Sequence, residues 1–371
     1  MSRFPRRAAG ALLAAAAMLL VTACGGSTAG DEGKDGADSS VLATAADKVA
    51  EFEKTAAFPT LPAPYEPGTG KIAIIACGLA GPDCKKGADL SKRAAEEMGW
   101  QADIFDAQFS PQKGSAYIDQ AVQQGYDGII SVSQAVETMK AAVDNATSAG
   151  IPVVCAGCFA VDGFDKVLFA AVDWEDQGRQ VAWSVIERSK GKAKVLVYDS
   201  ANLAVNARVK GFTETLKAEC PSCEIVQDGT IDAAELAKPG PPTFAADLTK
   251  YPVGTLTDVV DPYNAIGVPM MKTLKQNGRT DVFVSGYDAT PEAIEALNDG
   301  SLPIHATTGF PRGFMSYAAV DLIARTKAGA PTYDVTVLPS LLVTKNNAST
   351  FTDDYYEPTG LPAEFQKTWG K

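Results

Sequence analysis

The side chains best suited to chemistry in this sequence are six cysteines in three close pairs. The pairs are Cys77 and Cys84, Cys155 and Cys158, and Cys220 and Cys223. In an exported protein an even set of cysteines is typical of disulfides, and pairing between near neighbours is the simplest arrangement. A thioredoxin-like redox pair and a thiolate metal site are the alternatives. Because Cys220 follows a predicted helix, whereas a redox pair normally begins one, we favour structural disulfides.

Few other residues could support catalysis or bind a metal. His305 is the one histidine in the sequence, so a histidine-based dyad or metal site has little to build on. The sequence contains no Gly-x-Ser-x-Gly and no phosphate-binding Gly-rich loop. We therefore expect no enzyme activity, no cofactor and no metal.

Composition and charge limit the size of the fold and its partners. The 371 residues are 46% hydrophobic, which is ordinary for a folded soluble protein and predicts about two domains. There are 33 Lys and Arg against 45 Asp and Glu, a net charge of −12, and no basic cluster. Because binding nucleic acid requires a basic surface that neutralises phosphates, we exclude nucleic acid as a partner.

The N-terminus indicates export. Arg3, Arg6 and Arg7 precede an apolar run over residues 8–21, which is too short to span a membrane and is typical of a secretory signal peptide. Cys24 follows small residues, so the segment resembles a bacterial lipoprotein signal. That resemblance implies removal of residues 1–23 and an extracytoplasmic protein held to the cell membrane by acyl chains on Cys24. An ordinary signal peptide with an incidental cysteine is the alternative.

Residues 24–70 read as a connection between this signal and the folded part. Residues 25–40 are small, polar and Gly-rich, which favours a flexible tether. Residues 41–54 have helical spacing, and residues 58–68 carry four prolines. We therefore predict one short helix followed by an extended, Pro-rich lead-in.

From residue 71 onward, short apolar strands alternate with amphipathic helices. Residues 71–76 and 128–131 are predicted strands, residues 86–98 form a predicted helix, and the pattern restarts with a strand over residues 194–198. Such alternation indicates βαβ units and parallel sheets buried on both faces. The sequence therefore predicts an α/β fold with two similar lobes, and a ligand cleft at the carboxyl ends of their strands.

Five short stretches in this region resemble one known family. They are residues 126–130 (Tyr-Asp-Gly-Ile-Ile), 149–154 (Ala-Gly-Ile-Pro-Val-Val), 207–212 (Ala-Arg-Val-Lys-Gly-Phe), 265–267 (Ala-Ile-Gly) and 286–292 (Gly-Tyr-Asp-Ala-Thr-Pro-Glu). In this order they resemble type I periplasmic binding proteins, in particular the ribose-binding-like substrate-binding lipoproteins of ABC sugar transporters. The resemblance covers residues 71 to about 345.

The family's fold implies two Rossmann-like lobes with parallel sheets, joined by a three-segment hinge. The hinge segments would lie near residues 168–172, 307–310 and 337–340. The resemblance then assigns residues 71–168 plus 310–337 to an N-terminal lobe, and residues 172–307 plus 340–371 to a C-terminal lobe. A ligand that contacts both lobes stabilises their closed arrangement.

The resemblance also implies ligand-binding residues. Arg208 matches the family's ligand-binding arginine, Asp288 matches its hydroxyl-binding aspartate, and Asp261 stands where the family usually has asparagine. Gln134, Trp174 and Phe310 are further candidates to line the cleft, where the two aromatic rings could stack on an apolar face of the ligand.

Three departures from the family concern the same cleft. The Asp-Arg clamp that follows the fourth strand of sugar-binding members is replaced by the stretch from Cys155 to Cys158, and Gly309 replaces a common glutamine. The usual aromatic pair after the first strand is absent, because residues 77–84 stand there instead. We therefore expect a first lobe without a strong hydroxyl clamp.

The implied function is an extracytoplasmic solute-binding lipoprotein that passes its ligand to the permease of an ABC importer. The expected ligand is a small molecule, a carbohydrate or polyol bound between the lobes. One alternative keeps this role with a nucleoside, an aromatic compound or another small polar ligand. Another is a protein that presents its ligand to a membrane receptor, and a thiol-redox protein is the remaining enzyme hypothesis.

Overall fold

A computed structural model describes residues 39–54, 56–231, 235, 240–350 and 360–371 of the chain. The predicted signal peptide, the lipidation site Cys24 and residues 25–38 of the predicted tether lie outside these residues. Within the described ranges, no helix combines the length and the apolar character that crossing a membrane requires.

Helices and strands alternate along most of the described chain. The helices are α1 Ser39–Phe52, α2 Pro82–Met98, α3 Pro111–Gln123, α4 Lys140–Ser148, α5 Trp174–Ser189, α6 Leu203–Glu219, α7 Pro242–Leu248, α8 Asn264–Gln276, α9 Pro291–Asp299, α10 Arg312–Ala328 and α11 Leu361–Thr368. The strands are β1 Lys71–Ala76, β2 Gln101–Asp106, β3 Gly128–Val132, β4 Val153–Ala156, β5 Val167–Val172, β6 Lys194–Asp199, β7 Glu224–Thr230, β8 Asp258–Val260, β9 Phe283–Tyr287, β10 Ile304–Gly309, β11 Val335–Leu338 and β12 Leu341–Thr344.

The strands form two six-stranded sheets, each covered by helices. The first has the order β11-β5-β4-β3-β1-β2 and is parallel throughout. The second has the order β12-β10-β9-β8-β6-β7 and is parallel except for β12, which pairs antiparallel with β10. We call each sheet with its helices the first lobe and the second lobe. The predicted α/β fold with two lobes and parallel sheets is confirmed.

Three segments of chain pass between these sheets near the predicted hinge positions. The first is Asp173, between β5 in the first sheet and α5 on the second. The others are residues 310–311, after β10, and residues 339–340, between β11 and β12. Asp173 also begins helix α5, because its carboxylate accepts a hydrogen bond from the Asp176 backbone N–H at 2.8 Å.

Both ends of the described chain are part of the folded structure, and here the structure differs from the predicted division. Helix α1 packs on α5, with Ala45 buried in the core of the second lobe. The lead-in reaches the first lobe, where the ring of Phe58 lies 5.1 Å from that of Phe314. Helix α11 was assigned with residues 340–371 to the C-terminal lobe, but Phe365 and Trp369 pack in the first-lobe core.

The single histidine predicts how stability depends on pH. His305 packs against α5 with Nε2 3.0 Å from the Ser184 carbonyl oxygen, and burial together with Arg188 lowers the pKa of His305 from 6.5 to about 4. The unfolded chain therefore takes up this proton at a higher pH than the folded chain. The free energy of unfolding should fall by roughly 3 kcal/mol as the pH drops from about 7 to about 4.

Urea unfolding of the wild-type protein and His305→Gln across this pH range tests the prediction. The variant should lose stability less steeply on acidification, because glutamine does not titrate. An identical pH dependence in both proteins would show that His305 does not contribute.

Candidate ligand-binding site

A cavity of about 430 Å³ lies where the carboxyl ends of the two sheets face each other. Ten successive strands contribute lining residues at or just beyond their carboxyl ends, in the order Cys77, Phe109, Gln134, Gly157, Trp174, Ser200, Thr230, Tyr263, Asp288 and Phe310. This is the position at which open α/β sheets bind ligands, and the volume is typical of small-molecule sites. The cavity is therefore the candidate ligand-binding site.

An arginine–aspartate pair forms the second-lobe side of the cavity. Arg208 of α6 is 4% exposed and donates from Nη2 to Asp288 Oδ1 at 2.7 Å. Its Nε donates to Gln177 Oε1 at 2.8 Å, and its guanidinium lies over the rings of Trp174 at 4.9 Å and Tyr287 at 4.7 Å. These contacts hold the guanidinium in one orientation, so its donors are preorganised for a ligand.

A second arginine–aspartate pair forms the first-lobe side, where the sequence predicted no strong clamp. Arg312 is 1% exposed and donates from Nε to Asp83 Oδ1 at 2.9 Å and from Nη2 to Asp83 Oδ2. Ser133 Oγ lies 3.0 Å from both partners, and the Arg312 guanidinium stacks 4.8 Å from the ring of Phe310. The first lobe therefore presents a charged donor–acceptor pair to the cavity, although the Cys155–Cys158 stretch carries no Asp-Arg clamp.

Sequence patterns did not indicate this pair. Its members are 229 residues apart, and no local spacing connects them. Both nevertheless lie in segments that depart from the family: Asp83 within residues 77–84, and Arg312 three residues after Gly309. A search of those two segments for charged residues would have found them.

Charges in the cavity balance. Each guanidinium has one carboxylate partner, as the ion pairs Arg208–Asp288 and Arg312–Asp83. Burial raises the pKa of Asp288, while the Arg208 guanidinium opposes that shift by favouring the ionised form. The site therefore offers both donors and acceptors without a net charge, which suits an uncharged ligand rich in hydroxyl groups.

Asp261 does not line the cavity, in contrast to its predicted role. It is fully buried below the second-lobe pair, where Asn264 Nδ2 donates to its Oδ2 at 3.1 Å. A Cβ atom at Gly286 would lie 2.1 Å from Asp261 Oδ1, so the missing side chain at Gly286 leaves the space that the carboxyl fills. Burial raises the pKa of Asp261 well above its usual value, which favours the protonated acid.

The other predicted residues meet at one place. Arg208, Asp288, Gln134, Trp174 and Phe310 all line the cavity. The rings of Trp174 and Phe310 meet edge to face at 5.8 Å. Asn202 also reaches the cavity, and its side chain begins α6 by accepting from the Ala204 backbone N–H at 2.9 Å.

Backbone strain concentrates around the cavity. Within the described residues, six non-glycine residues have positive φ: Gln108 (51°), Phe109 (57°), Ser133 (51°), Asp288 (88°), Ala289 (44°) and Lys190 (52°), which ends α5. The other five follow strands whose carboxyl ends form the cavity. Such conformations are costly and cluster at ligand sites, where the surrounding structure enforces them.

The six cysteines lie in the three sequence-local pairs. Their Cα–Cα separations are 5.6 Å for Cys77 and Cys84, 5.7 Å for Cys155 and Cys158, and 5.3 Å for Cys220 and Cys223. Cys77 and Cys84 line the cavity, whereas Cys220 is buried in the second-lobe core. No cluster of three or more His, Cys, Asp or Glu side chains able to hold a metal occurs among the residues that the structure describes.

Comparisons with known proteins agree with this geometry. The family described as a periplasmic binding protein domain matches residues 88–331. The ribose import binding protein of Escherichia coli K12 is 25% identical over 234 residues, which cover 62% of this chain and 76% of that protein. A solute-binding protein from Bacillus halodurans with bound myo-inositol superposes with a TM-score of 0.69 at 21% identity, over 78% of this chain and 99% of that one. One from Agrobacterium vitis with bound allitol has a TM-score of 0.68 at 19% identity, over 76% and 97% of the two chains. The chain therefore belongs to the periplasmic binding proteins of type I.

Proposed function

We propose that this protein binds a carbohydrate or polyol between its lobes and passes it to the permease of an ABC importer. The observation that carries the proposal is the presence of one arginine–aspartate pair on each lobe, both facing one cavity. Guanidinium groups donate to hydroxyl and ring oxygens, and carboxylates accept from hydroxyl groups. A ligand that bridges the two pairs favours lobe closure over the three crossing segments.

The relatives support this choice of ligand and role. The named relative is a ribose import binding protein, and the two superposed proteins hold a cyclic and an acyclic polyol. Together with the uncharged balance of the cavity, this favours a neutral polyhydroxylated ligand. The proposed site comprises Arg208, Asp288, Gln134, Trp174 and Phe310 from the sequence, with Arg312 and Asp83 added from the structure.

The proposal includes an extracytoplasmic location at the membrane. Residues 1–23 serve as a lipoprotein signal peptide, and lipidation of Cys24 anchors the chain. The three neighbouring cysteine pairs are oxidised to disulfides, as expected for a protein outside the cytoplasm. A nucleoside or another small aromatic ligand is the second candidate, because Trp174 and Phe310 place two aromatic rings at the cavity.

A thermal-shift screen of the full-length protein tests this function, with ribose, arabinose, myo-inositol, allitol, nucleosides and small aromatic compounds. A compound present at about 100 times its Kd adds about 2.7 kcal/mol of stability, which raises Tm measurably. We expect a sugar or polyol to raise Tm. A rise in Tm with aromatic compounds alone would replace the carbohydrate by the second candidate. No rise in Tm with any compound of the panel would overturn the proposal.

A further inference from the structure

The cavity has a buried charged floor and an exposed apolar rim. Arg208 and Arg312 on the floor are 4% and 1% exposed. The first-lobe rim is lined by Phe109, which is 45% exposed, together with Pro82 and Pro111, and these residues adjoin the buried Cys77–Cys84 pair. We propose that this rim is a subsite for a flat apolar group, so that the ligand is a glycoside, a sugar joined to an aromatic or other flat aglycone, rather than a free sugar. The inference rests on the proposed function and deepens it.

The position of Phe109 is enforced by the structure around it. Gln108 and Phe109 are consecutive residues with φ of 51° and 57°, a conformation that is costly for side chains with a Cβ. The Phe109 backbone N–H donates to the Cys77 carbonyl at 2.6 Å. The ring lies directly against Gly78, where a Cβ atom would be only 2.7 Å from it. The chain thus combines two strained residues and a glycine to hold an aromatic ring at the cavity.

An ordinary exposed phenylalanine does not account for this arrangement. Isolated apolar side chains are common on surfaces and need no explanation. Val253 and Val337, for example, are 73% and 70% exposed, and neither has positive φ nor lines the cavity. Phe109 differs because three features together fix its ring at the cavity. They are its strained backbone, its contact with Gly78 and its place on the cavity wall.

The two zones together define the ligand class. The balanced ion pairs of the floor suit the hydroxyl groups of an uncharged sugar. The ring of Phe109 gains little from hydroxyl groups but stacks favourably on a flat apolar or aromatic group. Aryl glycosides and nucleosides share this chemistry, and the experiment below separates them.

Binding to matched pairs of compounds tests the inference. Calorimetry on the full-length protein, in a detergent without a sugar headgroup, would compare glucose, galactose and xylose with their phenyl β-glycosides, and ribose with adenosine and uridine. At least one glycoside should bind about tenfold tighter than its parent sugar, as expected for one added aromatic contact. Phe109→Ala should bring the ratio of the glycoside affinity to the parent-sugar affinity down to about one, and Phe109→Tyr should retain the tenfold ratio.

Val253→Ala and Val337→Ala are matched controls that remove an exposed apolar side chain elsewhere. Both should retain the tenfold gain. Parent sugars that bind as tightly as their glycosides, or a gain that survives in Phe109→Ala, would overturn the apolar subsite and leave the carbohydrate function intact. Binding of phenol alone as tightly as the phenyl glycosides would instead overturn the carbohydrate function. No measurable binding of any sugar or glycoside would overturn both the apolar subsite and the carbohydrate function.

Discussion

The Arg312→Ala variant should bind the ligand on the order of a hundredfold more weakly than the wild-type protein, because truncating one member of a buried charge pair removes donors and leaves its partner unpaired. Arg312 donates to Asp83 and Ser133, and its guanidinium also lies over the ring of Phe310, a contact that the variant loses. Calorimetry with the panel compound that raises Tm most would measure the change. Arg312→Lys should recover only part of the affinity, because an ammonium group cannot reproduce the paired donors of the guanidinium.

Arg279→Ala provides the matched control for this prediction. Arg279 is 6% exposed and pairs with Asp281 at 2.8 Å, but it does not line the cavity. Its loss should reduce stability and leave ligand affinity within about twofold, because distant sites act independently. Equal losses of affinity in Arg312→Ala and Arg279→Ala would mean that Arg312 acts through stability alone. Unchanged binding in Arg312→Ala would remove the first-lobe pair from the site.

Local sequence patterns were sufficient to predict the sheets and to identify one of the two arginine–aspartate pairs of the candidate site. Strand β1 has the predicted bounds, and β3 and β6 each extend one residue beyond theirs, because short apolar runs between helices identify buried parallel strands. Arg208 and Asp288 were identified as candidates because each lies within a family motif, residues 207–212 and residues 286–292. Their ion pair at 2.7 Å, however, joins residues 80 positions apart, so only the folded chain shows that they are in contact.

What the sequence did not show depends on contacts between distant segments. Arg312 and Asp83 meet only because α10 and α2 pack against each other on the first lobe. Asp261 matched a family position, but in the folded chain it is fully buried, accepts a hydrogen bond from Asn264 and does not line the cavity. Helix α11 was missed because its eight residues are too few for a clear apolar period, and its position depends on packing against α10.

Breaking one buried ion pair in the first lobe should cause the largest loss of folding stability among the variants that we predict. Asp321 and Arg325 of α10 are both 0% exposed and are joined from Nε to Oδ2 at 2.7 Å. Asp321 Oδ1 also accepts from the Tyr65 hydroxyl at 2.9 Å and from Trp369 Nε1 at 2.8 Å. This one carboxylate therefore connects α10 with the Pro-rich lead-in and with the residue after α11.

Asp321→Ala should lower the free energy of unfolding by about 3–5 kcal/mol, because it leaves the Arg325 guanidinium buried without a counter-charge. Urea unfolding would measure this loss. Asp144→Ala is the control: it removes the Lys140–Asp144 pair, whose side chains are both 55% exposed, and an exposed helical pair contributes only about 0.3–0.5 kcal/mol. Similar losses in the free energy of unfolding of both variants would show that the buried Asp321 carboxylate does not connect the lead-in and α11 to the first lobe. If it does, Asp321→Ala should also expose the lead-in and α11 to hydrogen exchange earlier than β1, since Tyr65 and Trp369 both donate to the same carboxylate oxygen, Asp321 Oδ1.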